Sequence, residues 1–143
     1  MGNRPLEVLS EGCKILDPIM RPQGFLFVAG ESGRGSGGPY ASGAYINGDR
    51  KLELHYRFSL GLVTYHFGKA SVAHESYMRA LLGTNGSNKY PGYSDDPLDG
   101  FRGLAYDLEN FAGAFLKGNY REFERYVLAA QDWERTPGFA RLP

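Results

Sequence analysis

Histidines at positions 55, 66 and 74 are the side chains with the widest chemical range in this chain, and they fall close together. An imidazole changes charge near neutral pH, binds metals through either ring nitrogen and moves protons as an acid or a base. Around His55 and His66 the segment Lys51 to Phe67, KLELHYRFSLGLVTYHF, alternates apolar and polar residues. Leu52, Leu54, Tyr56 and Phe58 take one phase, and Glu53, His55, Arg57 and Ser59 the other. That is the period of a half-buried strand. A two-residue turn at Leu60 and Gly61 would pair Phe58 with Val63, Tyr56 with Tyr65 and Leu54 with Phe67 on the core side. On the polar side it would set His55 opposite His66 and Arg57 opposite Thr64, with Glu53 next along.

Two imidazoles on adjacent strands would chelate a divalent metal or work as a catalytic acid and base, so His55 and His66 are the candidate catalytic residues. His74 and Glu75 would complete a metal site if the segment after the hairpin folds back over this face. Neither belongs to an HExxH motif, because Ser76, Tyr77 and Met78 follow Glu75. The competing reading is a solvated, hydrogen-bonded pair with no cofactor. Glu53, His55, Arg57, Thr64 and His66 would then form a polar surface suited to anionic or hydrogen-bonding partners.

Other motifs are weaker. Gly33, Gly35 and Gly38 match G-x-G-x-x-G, with Glu53 beyond, but Pro39 and a strand-like run follow where a dinucleotide site needs a helix. Gly30 and Gly35 have phosphate-loop spacing, yet Ser36 stands where the lysine must be. A flexible inter-strand loop over residues 30–39 is the favoured reading. Tyr40, Tyr45, Tyr90 and Tyr93 sit in or beside irregular segments, either as partner contacts or as caps on the core edge. Asp95, Asp96 and Asp99 cluster where a helix begins, which capping explains. Cys13, the lone cysteine, falls on an apolar stripe and reads as core; it excludes an internal disulfide and a CxxC site.

The elements that must position these groups follow from periodicity. Leu6, Leu9, Cys13, Leu16 and Met20 recur at helical spacing after Pro5, with an end expected at Pro18. Phe25 to Ala29 is continuously apolar, as in a strand covered on both faces and interior to a sheet. Tyr40 to Ile46 is the next strand, turned by Asn47-Gly48, with Ala41, Gly43 and Tyr45 on the face of Leu52 and Leu54. Ser71 to Gly83 reads as a short helix and Thr84 to Asp95 as a long surface loop. The strongest helix starts at Asp96-Pro97 and carries Leu98, Phe101, Leu104, Leu108, Phe111 and Phe115 to a stop at Gly118. Asn119 with Glu122 opens a last helix.

The expectation is therefore an α+β fold: an antiparallel four-stranded meander with one N-terminal helix and three C-terminal helices, packed mainly on one face. Residues 1–134 form a single domain and 135–143 a loosely held tail. The 16 basic and 16 acidic residues cancel, which argues against nucleic acid as a partner. No apolar stretch suits a signal peptide or a membrane span, so the expected location is the cytoplasm and no membrane partner is expected.

The helix ending near Leu16 and Pro18, then Gly24-Phe25, then LELHYRFSLG and VTYHFG, resembles the layout of small uncharacterised bacterial domains, including toxin-immunity proteins. The resemblance covers the first half of the chain. It implies a non-enzymatic, inhibitor-like role in binding a protein partner. With the polar sheet face it makes protein binding the leading functional expectation. The alternative is a small metal- or histidine-dependent enzyme centred on His55 and His66. A third is a small-ligand pocket between sheet and long helix, lined by Tyr56, Tyr65 and Phe111.

Overall fold

The structure, a computed structural model, describes residues 4–84, 86–92 and 94–135. It is an α+β fold built on a five-stranded antiparallel sheet. Helix α1 (Arg4–Met20) passes through a short 3-10 turn into β1 (Leu26–Gly35), β2 (Gly38–Asn47), β3 (Arg50–Tyr56), β4 (Leu60–Phe67) and β5 (Ala70–Ala73). Then come α2 (His74–Leu82), α3 (Asp99–Phe111), α4 (Gly113–Leu116) and α5 (Tyr120–Arg135). The strands lie in chain order, β1-β2-β3-β4-β5, so every connection within the sheet is a hairpin.

Alternation decides which face is buried. Tyr45, Leu52, Leu54, Tyr56, Val63, Tyr65, Phe67 and Val72 point to one side and join Leu9, Leu16, Leu104, Leu108, Phe115 and Phe123 of the helices in one apolar cluster. Burial of each large member contributes roughly 1.5 to 3 kcal/mol, so this layer dominates folding. Gly12 lets α1 approach α3 closely, since a Cβ there would collide with the Phe101 ring. The opposite phase, Leu26, Val28, Glu53 and Leu62 among it, stays exposed.

Several expectations need correction. A fifth strand occupies 70–73, where Ser71 was expected to cap a helix; Gly68, at φ 59°, turns the chain so that Ala70 and Val72 alternate into the core beside Phe67 and Tyr65. The long C-terminal helix is two, because the backbone bends at Ala112 before Gly113. That makes four helices after the sheet rather than three. Pro18 lies inside α1 near its end, where its missing amide costs only one bond, and Leu6 is turned toward solvent.

The apolar run at 25–29 is not interior: β1 is an edge strand, with Phe25 buried and Leu26 and Val28 exposed on the uncovered face. The glycine-rich segment is not a loose loop but the end of the β1–β2 hairpin, turning at Ser36-Gly37 with a register shift between Ala29 and Ser32. Residues 136–143 of the expected tail lie outside the described residues, as does Tyr93; Arg135 ends α5.

Candidate functional site

The hairpin register differs from the one the turn signal suggested. Leu52 faces Tyr65, Glu53 faces Thr64, Leu54 faces Val63 and His55 faces Leu62, with an irregularity between His55 and Tyr56. The turn is made by Arg57, Phe58 and Ser59, where the Arg57 amide bonds the Ser59 carbonyl at 3.1 Å, and Leu60 is buried as the first residue of β4. The shift is even, so the side chains of residues 52–55 and 62–67 keep their expected faces while changing neighbours. Phe58, expected on the core side opposite Val63, instead lies in the turn and is exposed, because Leu54 takes its place beside Val63.

All five expected binding residues therefore share the outer face but form two groups. In the first, His66 Nε2 meets Glu53 Oε1 at 2.9 Å, Lys51 Nζ lies 4.0 Å from the other oxygen, and Thr64 stands opposite Glu53. In the second, the His55 ring stacks on Tyr40 with centroids 5.6 Å apart and planes at 18°, and the Arg57 guanidinium lies 5.5 Å from the same ring centre. The Tyr40 ring thus contacts both an imidazole and a guanidinium. The guanidinium also rests on the β1–β2 turn, where a Cβ at Gly37 would overlap Nη1.

His55 and His66 do not meet. Leu62 faces His55, and His66 is four residues further along β4, about 13 Å at the rise of a strand. Two nitrogens bound to one zinc-sized ion lie no more than ~4.2 Å apart, so the expected chelating pair is not formed. His74 cannot complete it, because it lies on the other side of the sheet, packed on Tyr65. Glu75 is exposed on α2 and pairs with Arg79 at 3.3 Å. Among the described residues no group of three or more histidine, cysteine, aspartate or glutamate side chains converges to hold a metal.

The inner side holds a network that periodicity did not announce. His74, 2% exposed, opens α2; Asp107, 0% exposed, lies on the buried side of α3. His74 Nε2 lies 2.8 Å from Asp107 Oδ2 and Nδ1 lies 2.7 Å from the Tyr65 hydroxyl. Burial holds the Tyr65 phenol well above its usual range, with further upward pushes from Tyr77, Asp107 and Tyr90, so it keeps its proton. Asp107 acts here as an acceptor, taking two backbone amides as well, so Nε2 donates to it, and in the neutral ring Nδ1 then accepts from the Tyr65 hydroxyl.

Asp107 also accepts the amides of Lys89 at 2.6 Å and Tyr90 at 2.9 Å, which ties residues 89 and 90 to α3. Tyr90 closes the arrangement, its ring edge-on to His74 and its hydroxyl donating to the Leu60 carbonyl. The one available signal was an aspartate three residues after Leu104, inside an otherwise apolar stripe.

The remaining candidates are structural. Tyr45 is buried and donates to Asp17 Oδ1 at 2.6 Å, and burial, then that bond, raise its phenol strongly. Burial pushes the Cys13 thiol up to about 11, as suits a core residue. Asp96 accepts the Leu98 amide at 2.9 Å and pairs with Arg102, which together hold its carboxyl below the usual range, and Asp99 accepts the Ser94 amide. The expected pocket lined by Tyr56, Tyr65 and Phe111 is not formed: Tyr56 stacks on Phe101 and Tyr65 sits edge-on to Tyr77 and Phe115 in the core, while Phe111 borders an open surface cleft with Leu81 and Tyr126.

Among the described residues no helix is long and apolar enough to cross a membrane. No protein-family model, no curated protein and no solved structure matches this chain.

Proposed function

We propose that this chain is a non-enzymatic protein-binding domain of the inhibitor or immunity type, and that it binds through the outer face of its sheet. One observation carries the reading: the face opposite the helices keeps Leu26, Val28 and Leu62 exposed, with Phe58 exposed at the adjoining turn. These are four of the seven large apolar side chains left in solvent among the described residues. Interleaved with them are the Lys51–Glu53–His66 group and the Tyr40–His55–Arg57 group. Five strands spaced ~4.8 Å apart and averaging about eight residues present roughly 600 Å² in projection. That is the same order as the roughly 800 Å² that each partner buries in a standard protein interface.

The histidine-enzyme alternative has less support. The outer histidines are apart, and the Tyr65–His74–Asp107 relay is sealed under Tyr90 with no exposed reacting atom.

The test compares faces. Wild type, a Val28→Glu/Leu62→Glu variant and a Leu128→Glu variant on exposed α5 would be used to capture partners from a lysate of the source organism. Proteins retained by wild type and Leu128→Glu but lost from the outer-face variant are expected. Equal capture by all three would refute the reading.

A further inference from the structure

The two polar groups on the outer face differ in how their charge is met. Glu53 lies between His66 and Lys51, so that group is balanced internally. At the other end no salt bridge engages Arg57 or His55 among the described residues; the cation faces an aromatic ring and a glycine turn. Packing on Tyr40 and against Gly37 leaves the guanidinium pre-placed, so fewer of its rotamers are lost when a ligand arrives. Apolar surface lies directly beside it. Leu62, 63% exposed, is the cross-strand neighbour of His55, and Phe58, 81% exposed, follows Arg57 in the turn. Tyrosine and arginine next to exposed apolar side chains are the residue types that concentrate binding energy at interfaces.

We propose that this end of the sheet is where the partner docks, and that the partner presents an acidic segment. Its carboxylates would pair with Arg57 and His55, and its apolar side chains would lie on Tyr40, Phe58 and Leu62. The proposal rests on the outer-face reading above and adds the location and the chemistry of the partner. Charge complementarity decides the sign: a basic segment would meet an unpaired guanidinium, whereas a carboxylate can take two parallel bonds from it.

The test uses two end-blocked eight-residue peptides as probes, one alternating glutamate and valine and one alternating lysine and valine. They would be titrated into the ¹⁵N-labelled chain at low salt and followed by amide shifts. With the acidic peptide, shifts should group at Tyr40, His55, Arg57, Phe58 and Leu62. Binding should weaken at least tenfold in Arg57→Glu and several-fold in Phe58→Ala, and fade at high salt. The basic peptide should give no grouped shifts. Arg57→Gln, which keeps the length of the side chain, serves as the second variant if Arg57→Glu unfolds.

Equal shifts from both peptides, or none from either, would overturn the proposal. Acidic-peptide shifts centred on Leu26, Val28 and Lys51 would overturn this location while leaving the outer-face reading standing. Shifts confined to the helical side would count against both.

Discussion

His66 with Glu53 and His74 with Asp107 are the same two chemical groups at nearly the same separation, 2.9 and 2.8 Å, on opposite sides of one sheet. The outer pair is about one-third to one-half exposed; the inner pair is sealed. In water an ion pair gains little, because solvent screens it and competes for both partners. Under the helices the same contact forms part of a closed account: Asp107 accepts from His74, Lys89 and Tyr90, and His74 accepts from Tyr65. Geometry alone does not separate a binding surface from a structural lock. Solvent access and the number of groups left unpaired on removal do.

The largest contrast is expected from deleting the two carboxylates. Asp107→Ala would leave the buried His74 imidazole and the part-buried amides of Lys89 and Tyr90 without their acceptor, and a loss of about 3 to 5 kcal/mol is expected. Glu53→Ala should change stability by no more than about 1 kcal/mol. Urea titrations of both variants check this, with faster amide exchange at Lys89 and Tyr90 expected in Asp107→Ala alone. A comparable loss in both variants would erase the distinction.

Tyr65→Phe sharpens the comparison within the lock. It removes the one donor to His74 Nδ1 and keeps the ring packing on Tyr77 and Phe115, so about 1 to 3 kcal/mol is expected, less than for Asp107→Ala.

Alkaline pH probes the same hydroxyl. Its folded-state value is raised above the ordinary tyrosine value near 10, so above that pH the native state holds a proton that the unfolded chain releases. The contribution is complete below pH ~10 and is lost as pH rises toward the folded value, at about 1.4 kcal/mol per pH unit from this residue. Urea midpoints measured from pH 9 to 11.5 should fall less steeply for Tyr65→Phe than for wild type. The smallest effect belongs to the outer pair: His66→Ala should cost about 1 kcal/mol or less in the same urea titration.

How far the sequence reached follows the same physics. Strand alternation sorted Leu52, Leu54, Tyr56, Tyr65 and Phe67 from Glu53, His55, Thr64 and His66, because hydrophobicity with period two reports the face. It did not report register. Leu60-Gly61 resembled a tight turn, but burial of Leu60 outweighed the local signal and moved the turn to 57–59.

The continuous run FLFVA looked interior because composition cannot tell a strand covered on both faces from an edge strand with a deliberately apolar outer side. That ambiguity hid the exposed apolar surface. The buried lock was legible only as one acidic residue in an apolar stripe, since its partners come from β4, α2 and the 84–95 segment. Asn119 capping α5 through the Glu122 amide, by contrast, is local and was readable.

The division of labour between the two faces is tested most directly by the stability of one variant, Leu26→Thr/Val28→Thr/Leu62→Thr. Threonine suits an exposed strand, and each of the three side chains is more than half exposed in the folded chain. An unfolding free energy within about 1 kcal/mol of wild type is expected, as for surface positions. A loss of 4 kcal/mol or more, the scale of removing three buried side chains, would mean that the outer face is part of the core and would contradict the assignment of that face to a partner.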